Sequence, residues 1–108
     1  GKNIYPQDVE EIVMEVTGIH PGRAVAFGIY NDLKGTEDVV VIAEVEKLFL
    51  ENKEKIAQEI RKKITQNSAI TLRTVYLVPE KWLIKTSSGK IARTANKEKY
   101  LKETKTEK

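Results

Sequence analysis

Apolar residues in the first part of the chain recur at a helical spacing. Across residues 6–16, valine and isoleucine return every three or four positions, which predicts a helix with one apolar face. Pro6 suits the first turn of this helix, because its missing N–H has no intrahelical partner to lose there. Gly18 is placed to end the helix, since glycine readily adopts the left-handed conformation that closes many helices.

Two runs rich in β-branched and aromatic residues follow, at residues 24–30 and 38–45, separated by the turn-like stretch NDLKGTE. They predict a β-hairpin. The apolar run at residues 39–42 is continuous rather than alternating, so we expect its strand to be covered on both faces and central in its sheet. Gly28 interrupts the first run, and we expect a bulge or a close approach of another backbone segment there.

The second half of the chain predicts a helix, a strand and a short last helix. Residues 51–67 carry isoleucine at a spacing of four positions, and the lysine, glutamate and arginine between them predict a solvated face. Residues 72–78 read as a third strand, and residues 94–101 as the last helix. The order predicts an α+β domain over residues 1–101, a small sheet of about three strands (a hairpin plus one) with helices packed against it. Residues 102–108 form a charged tail that we expect to fray.

Composition narrows the function. The chain has 108 residues, 19 Lys+Arg and 16 Asp+Glu, a balance that does not indicate a nucleic-acid binder. One domain of this size leaves little room for a complete substrate cavity, so we expect its chemistry to be shared with a partner surface.

Without cysteine and with His20 as the single histidine, no metal site is expected. No run approaches the roughly 18 apolar residues of a membrane span, and we expect a cytoplasmic protein. The start at Gly1 suggests a domain cut from a longer chain.

Residues 84–93 are the stretch most suggestive of chemistry. Small polar residues precede a lysine at the tip of what reads as an exposed loop: Thr86, Ser87, Ser88, Gly89 and Lys90. An ammonium on a long stem can neutralise charge that develops on a phosphate or a carboxylate in a neighbouring cavity. The residues alone leave open that Lys90 is an ordinary surface lysine beside an ordinary turn.

Two other readings of this stretch fail on the residues themselves. A phosphate-binding P-loop would need a glycine where Ile84 stands and a serine or threonine where Ile91 stands. A serine nucleophile would have His20 as its sole candidate base, and His20 lies in a His-Pro-Gly stretch that reads as a loop.

The stretch IKTSSGKIAR resembles the closing lysine motif of the adenylate-forming ligases, a superfamily that includes acyl-CoA synthetases and peptide-synthetase adenylation domains. The opening GKNIYPQDVE resembles the motif that begins the mobile C-terminal domain of the same enzymes. Within the superfamily, Asn-Ile-Tyr-Pro-Gln-Asp looks most like fatty acyl-AMP ligases, because CoA synthetases tend to carry Glu-Pro or Ser-Pro where this chain has Tyr5-Pro6. Ile84 departs from the proline usual before the Lys-Thr pair.

The resemblance implies a mobile lid domain that supplies one catalytic residue, Lys90. Thr86, Ser87, Ser88 and Gly89 would support its loop. Arg93 would anchor the loop or contact the partner domain. A pantetheine channel would be bordered by the opening segment: Gly1, Lys2, Asn3 and Tyr5.

The resemblance also implies partners. ATP and Mg²⁺ would be held mainly by an N-terminal adenylation domain, a fatty or other carboxylic acid would be the substrate, and an acyl carrier protein would accept the acyl group. The isolated chain would then be inactive. A CoA-forming synthetase is the alternative within this class. The alternative outside it is a stand-alone basic module that binds an anionic partner through Arg61, Lys62, Lys63 and the charged tail.

Overall fold

The computed structural model describes residues 5–67, 70 and 72–104. In these ranges it has three α-helices, one 3₁₀-helix and three strands. In chain order they are α1 (Pro6–Met14), β1 (Ile19–Asn31), β2 (Thr36–Val45), the 3₁₀-helix η1 (Lys47–Asn52), α2 (Lys53–Asn67), β3 (Leu72–Val78) and α3 (Arg93–Glu103). The predicted α+β class is confirmed.

The three strands form one sheet in the order β1-β2-β3. β1 and β2 pair antiparallel, from Ala24 opposite Ala43 to Asn31 opposite Thr36, which confirms the predicted hairpin. β3 lies parallel to β2. A parallel neighbour requires a crossover connection, and η1 with α2 provide it. The continuous apolar run of β2 is therefore central, as its sequence predicts.

Helices cover both faces of the sheet because successive side chains of β2 point to opposite sides. Val39, Val41, Ala43 and Val45 pack with α1 and α2, whereas Val40 and Ile42 face the side of α3. α2 buries its predicted isoleucines, Ile56, Ile60 and Ile64. α3 is held by Tyr100, whose ring meets Phe27 and Tyr76 edge to face at centroid distances of 5.8 and 5.2 Å.

The predicted loop at His20-Pro21-Gly22 is wrong, because these residues belong to β1. Ile19 pairs with Val45, and the register then shifts before Ala24. Such an irregularity is where a strand tolerates proline, which has no N–H for the ladder.

The prediction for Gly28 also needs correction. Gly28 pairs with Val39 in an uninterrupted register, so no bulge occurs there. The Glu37 side chain, and not another backbone segment, lies against Gly28, and a Cβ at this position would overlap it. Glycine thus makes room for a cross-strand side chain.

The helix ends differ slightly from those that the sequence suggests. α1 ends at Met14 instead of residue 16, and Gly18 follows it with a φ of +103°. α3 extends to Glu103, so residues 102 and 103 of the expected tail are helical. Residues 105–108 of that tail lie outside the described residues. Across the described ranges, no helix has the length and apolar character needed to span a membrane.

Candidate functional site

Residues 84–92 form a narrow hairpin that presents Lys90. Its base is closed by the Ala92 N–H, which donates to the Ile84 carbonyl at 3.0 Å. Lys85 and Ile91 form an antiparallel bridge one step further out, and the Thr86 N–H donates to the Lys90 carbonyl at 2.7 Å. The segment is therefore an ordered hairpin on which Lys90 has a defined place.

Thr86 organises the turn of this hairpin. Its carbonyl accepts from the Gly89 N–H at 2.9 Å, its hydroxyl shares a hydrogen bond of 2.9 Å with the Ser88 hydroxyl, and the Lys90 N–H donates to that threonine oxygen at 3.3 Å. Gly89 has a φ of +89°, which L-residues rarely adopt, while no atom would crowd a Cβ there. Glycine is thus required by backbone conformation rather than by space. Ser87 is exposed at the turn.

The Lys90 side chain is exposed, and within residues 5–67, 70 and 72–104 no carboxylate lies within ion-pair distance of its ammonium. An unpaired ammonium at the tip of an ordered hairpin can interact with an anion held on a neighbouring surface. No group of three or more potential metal ligands occurs in the same part of the chain.

Asn96 clamps both ends of the hairpin. Its side chain is fully buried, and its Oδ1 accepts from the Ile84 N–H at 2.8 Å. Its Nδ2 donates to the carbonyls of Ile84 and Ala92, at 3.0 and 2.8 Å. One amide therefore binds the two strands of the hairpin to α3. The role of Asn96 was not predicted from the sequence, although a polar residue four positions before the apolar Tyr100, on the same helix face, was a usable signal.

Glu44 fixes the chain just before the hairpin. This fully buried residue of β2 accepts from the Leu83 N–H at 2.9 Å and from the Arg23 guanidinium at 3.2 and 3.3 Å. A buried carboxylate with a cationic partner and a backbone donor is satisfied rather than strained. Its role was not predicted from the sequence either, and the available signal was an acid that follows the apolar run of residues 39–43 within the same strand.

Arg93 connects the end of the hairpin to the free edge of β1. Its Nε donates to the Ala26 carbonyl at 3.1 Å, and its Nη2 donates to Glu10 Oε2 at 2.8 Å. The same Glu10 oxygen accepts from the Ala26 N–H at 2.8 Å. The opening motif and the lysine motif thus meet through one ion pair.

The remaining residues singled out from the sequence lie elsewhere. Tyr5 is 58% exposed, and its carbonyl accepts from the first turn of α1. Gly1, Lys2 and Asn3 lie outside the described residues. On α2, Arg61 and Lys62 are exposed, while the Lys63 ammonium lies 3.8 Å from Glu15.

The domain is thus a small mixed sheet with helices on both faces, and it carries an exposed lysine on a clamped hairpin. Residues 1–98 match the family model described as the AMP-binding enzyme C-terminal domain. The chain belongs to this family, which confirms the resemblance to adenylate-forming enzymes.

Similar proteins agree with this assignment. The chain is 32% identical over 108 residues to the medium-chain-fatty-acid–[acyl-carrier-protein] ligase JamA of Moorena producens, covering 96% of this chain and 18% of the relative. It is 32% identical over 106 residues to the long-chain-fatty-acid–AMP ligase FadD26 of Mycobacterium marinum, covering 93% and 17%. The chain thus spans less than a fifth of the length of these curated relatives.

A solved structure with the same fold supports the assignment. A chain from a structural and functional study of fatty acyl-adenylate ligases from E. coli and L. pneumophila superimposes with a TM-score of 0.79 at 28% identity. All of this chain and 18% of that one are covered.

Proposed function

We propose that this chain is the mobile C-terminal domain of a fatty acyl-AMP ligase. The complete enzyme would adenylate a fatty acid with ATP and pass the acyl group to a phosphopantetheine thiol, with an acyl carrier protein as acceptor. The ammonium of Lys90, which is exposed and has no carboxylate partner among the described residues, carries the proposal together with the clamped hairpin that holds it. Two observations support a fatty acid as the substrate. The JamA and FadD26 relatives are named as fatty-acid ligases, and the opening motif carries the Tyr5-Pro6 pair.

Lys90 would act in the adenylation step. A carboxylate oxygen of the acid attacks the α-phosphorus of ATP, the bond from this phosphorus to the bridging oxygen breaks, and pyrophosphate leaves. The attacking carboxylate and the α-phosphate are both anionic, and negative charge moves onto the phosphoryl and leaving oxygens as the new bond forms. An ammonium between the two groups lowers the energy of that arrangement. ATP and Mg²⁺ supply the activated phosphate when bound to the N-terminal domain. Lys90 orients the two oxygens and offsets their repulsion.

The other site residues would support the position of Lys90. Thr86, Ser88 and Gly89 form the turn that presents it, and Ser87 is exposed beside it. After adenylation, rotation of residues 1–101 as one unit would withdraw the lysine. The opening segment up to Tyr5 would then border the channel for the pantetheine arm.

The test is Lys90→Ala in the complete enzyme that contains this chain, measured as fatty-acid-dependent ATP–pyrophosphate exchange. We expect exchange to fall about 10²- to 10³-fold, the usual effect of removing one preorganised donor from a developing anion. Lys85→Ala is the matched control, since Lys85 lies on the opposite strand of the same hairpin. Equal exchange by wild type and Lys90→Ala would contradict the proposal.

The acceptor is tested separately, with the wild-type enzyme and a preformed fatty acyl adenylate. Acyl transfer to holo acyl carrier protein, with little transfer to CoA, is expected. The reverse preference would identify the CoA-forming alternative and leave the role of Lys90 intact.

A further inference from the structure

Glu10 and Arg93 form hydrogen bonds with backbone groups at the free edge of the sheet. β1 is an edge strand, and Ala26 turns its N–H and C=O away from β2 toward these two side chains. Glu10 Oε2 accepts from the Ala26 N–H while the Arg93 Nε donates to the Ala26 carbonyl, so the ion pair occupies the place of a neighbouring strand. Open edges otherwise leave such groups unpaired.

The ion pair joins two residues that are 83 positions apart, and its arginine lies at the end of the lysine hairpin. Arg93 is the first residue of α3 and directly follows Ala92, the last residue of the hairpin. The Glu10 side chain is 14% exposed and that of Arg93 41% exposed, so the carboxylate is the more fixed member of the pair. A long arginine side chain that is partly exposed keeps one orientation only when its partners fix it.

We propose that Glu10 is a positioning residue for Lys90, acting through Arg93. The proposal rests on the adenylation role of Lys90 proposed above. Without Glu10, Arg93 loses one of its two anchors, and the exit strand of the hairpin is less firmly held against β1. A reacting group displaced by about 1 Å can lose a large part of its effect, so the orientation of this base matters for catalysis.

A purely structural role makes a different prediction from a positioning role. Lys90 acts in adenylation and is withdrawn during acyl transfer. A loss of positioning therefore lowers adenylation and spares transfer from a supplied acyl adenylate, whereas partial unfolding of the domain lowers both half-reactions together.

The experiment compares variants of the complete enzyme in both half-reactions. For Glu10→Ala we expect kcat of ATP–pyrophosphate exchange to fall about 10-fold or more, with KM for ATP and the transfer rate within about 2-fold of wild type. Glu10→Gln should retain most activity, because both hydrogen bonds to Glu10 end on one oxygen, which an amide also provides. Glu15→Ala, at the other end of α1, should not change either rate.

A second variant guards against misfolding. Arg93→Lys keeps the positive charge but replaces the two-nitrogen fork with a single ammonium, and we expect the same selective loss of adenylation. If Glu10→Ala is less soluble than wild type, Arg93→Lys decides the question with the same two assays.

Lys90→Ala in the same experiment separates this inference from the proposed function. If Lys90→Ala abolishes exchange while Glu10→Ala and Arg93→Lys leave it unchanged, or if these two variants slow both half-reactions equally, the positioning role is wrong and the function stands. If Lys90→Ala itself leaves exchange unchanged, the proposed function is wrong and the inference falls with it.

Discussion

Replacing Asn96 by alanine tests whether the amide clamp holds the Lys90 hairpin to α3. The variant loses three side-chain hydrogen bonds, but the consequences for the backbone are unequal. The Ile84 carbonyl keeps the Ala92 N–H, and the Ala92 carbonyl keeps the backbone N–H of residue 96. The Ile84 N–H alone loses its partner.

The expected loss of unfolding free energy follows from this count. One orphaned donor in a partly buried site costs about 1–3 kcal/mol. The space left by the amide is polar and close to the size of a water molecule, so water entry would offset part of the cost of the void. We therefore expect Asn96→Ala to destabilise the chain by about 2 kcal/mol. For a domain of this length that lowers Tm by about 8 °C.

The assay is equilibrium denaturation of the chain together with amide hydrogen exchange. The Thr86 N–H, which donates across the hairpin to the Lys90 carbonyl, should exchange faster in the variant, while amides of β2 follow the global stability. Asn52→Ala, at an exposed position ending η1, is the matched control and should change stability by less than about 0.5 kcal/mol. Unchanged stability with unchanged Thr86 exchange would refute the clamp.

Two further predictions concern other parts of the fold. Gly18→Ala should cost about 2 kcal/mol or more in chemical denaturation, because its φ is +103° and a Cβ would lie 2.8 Å from Ile56 Cδ1; Gly22→Ala, at φ +73° with no atom within 4 Å, should cost only about 1 kcal/mol. Burial, followed by the hydrogen bond to Glu103, raises the pKa of Tyr76 above its usual 10.0, so its contribution is complete below pH 10 and is lost as the pH rises through the folded value. Tyr76→Phe should therefore lose less stability above pH 10 than wild type, and an identical alkaline decline in both proteins would contradict this.

Elements with a strong period were predictable from the sequence, and irregular connections were not. Isoleucine at positions 56, 60 and 64 forms one face of α2, and the spacing alone determines that these residues share a buried side. η1 was missed because its apolar residues are consecutive and have no helical period, and Leu48 is 90% exposed. The entry of β1 through Pro21 was missed because His-Pro-Gly has the composition of a turn, while the register shift that accommodates it depends on pairing with β2.

The lysine of the candidate site was predictable, but the residues that hold it were not. Lys90 lies in a short contiguous motif whose residue types can be recognised locally. Glu44 contacts Leu83 across 39 positions, and Glu10 contacts Arg93 across 83. Such contacts exist only once the sheet and helices have packed, and a glutamate that will lie against a backbone N–H has the same local signature as one that faces water.

The arrangement of these contacts bears on how Lys90 would be moved. The base of its hairpin is bound to β2 through Glu44, to α3 through Asn96 and to β1 through Arg93, so three elements of one packed unit hold it. A hairpin fixed in this way cannot swing independently of the sheet without breaking buried hydrogen bonds. In the proposed enzyme, delivery and withdrawal of the lysine would therefore require rotation of the whole domain. Glu44, Asn96 and Arg93 make these hydrogen bonds to groups inside the domain. The domain would therefore dock in a second orientation with the hairpin in the same conformation and the Lys90 side chain still exposed.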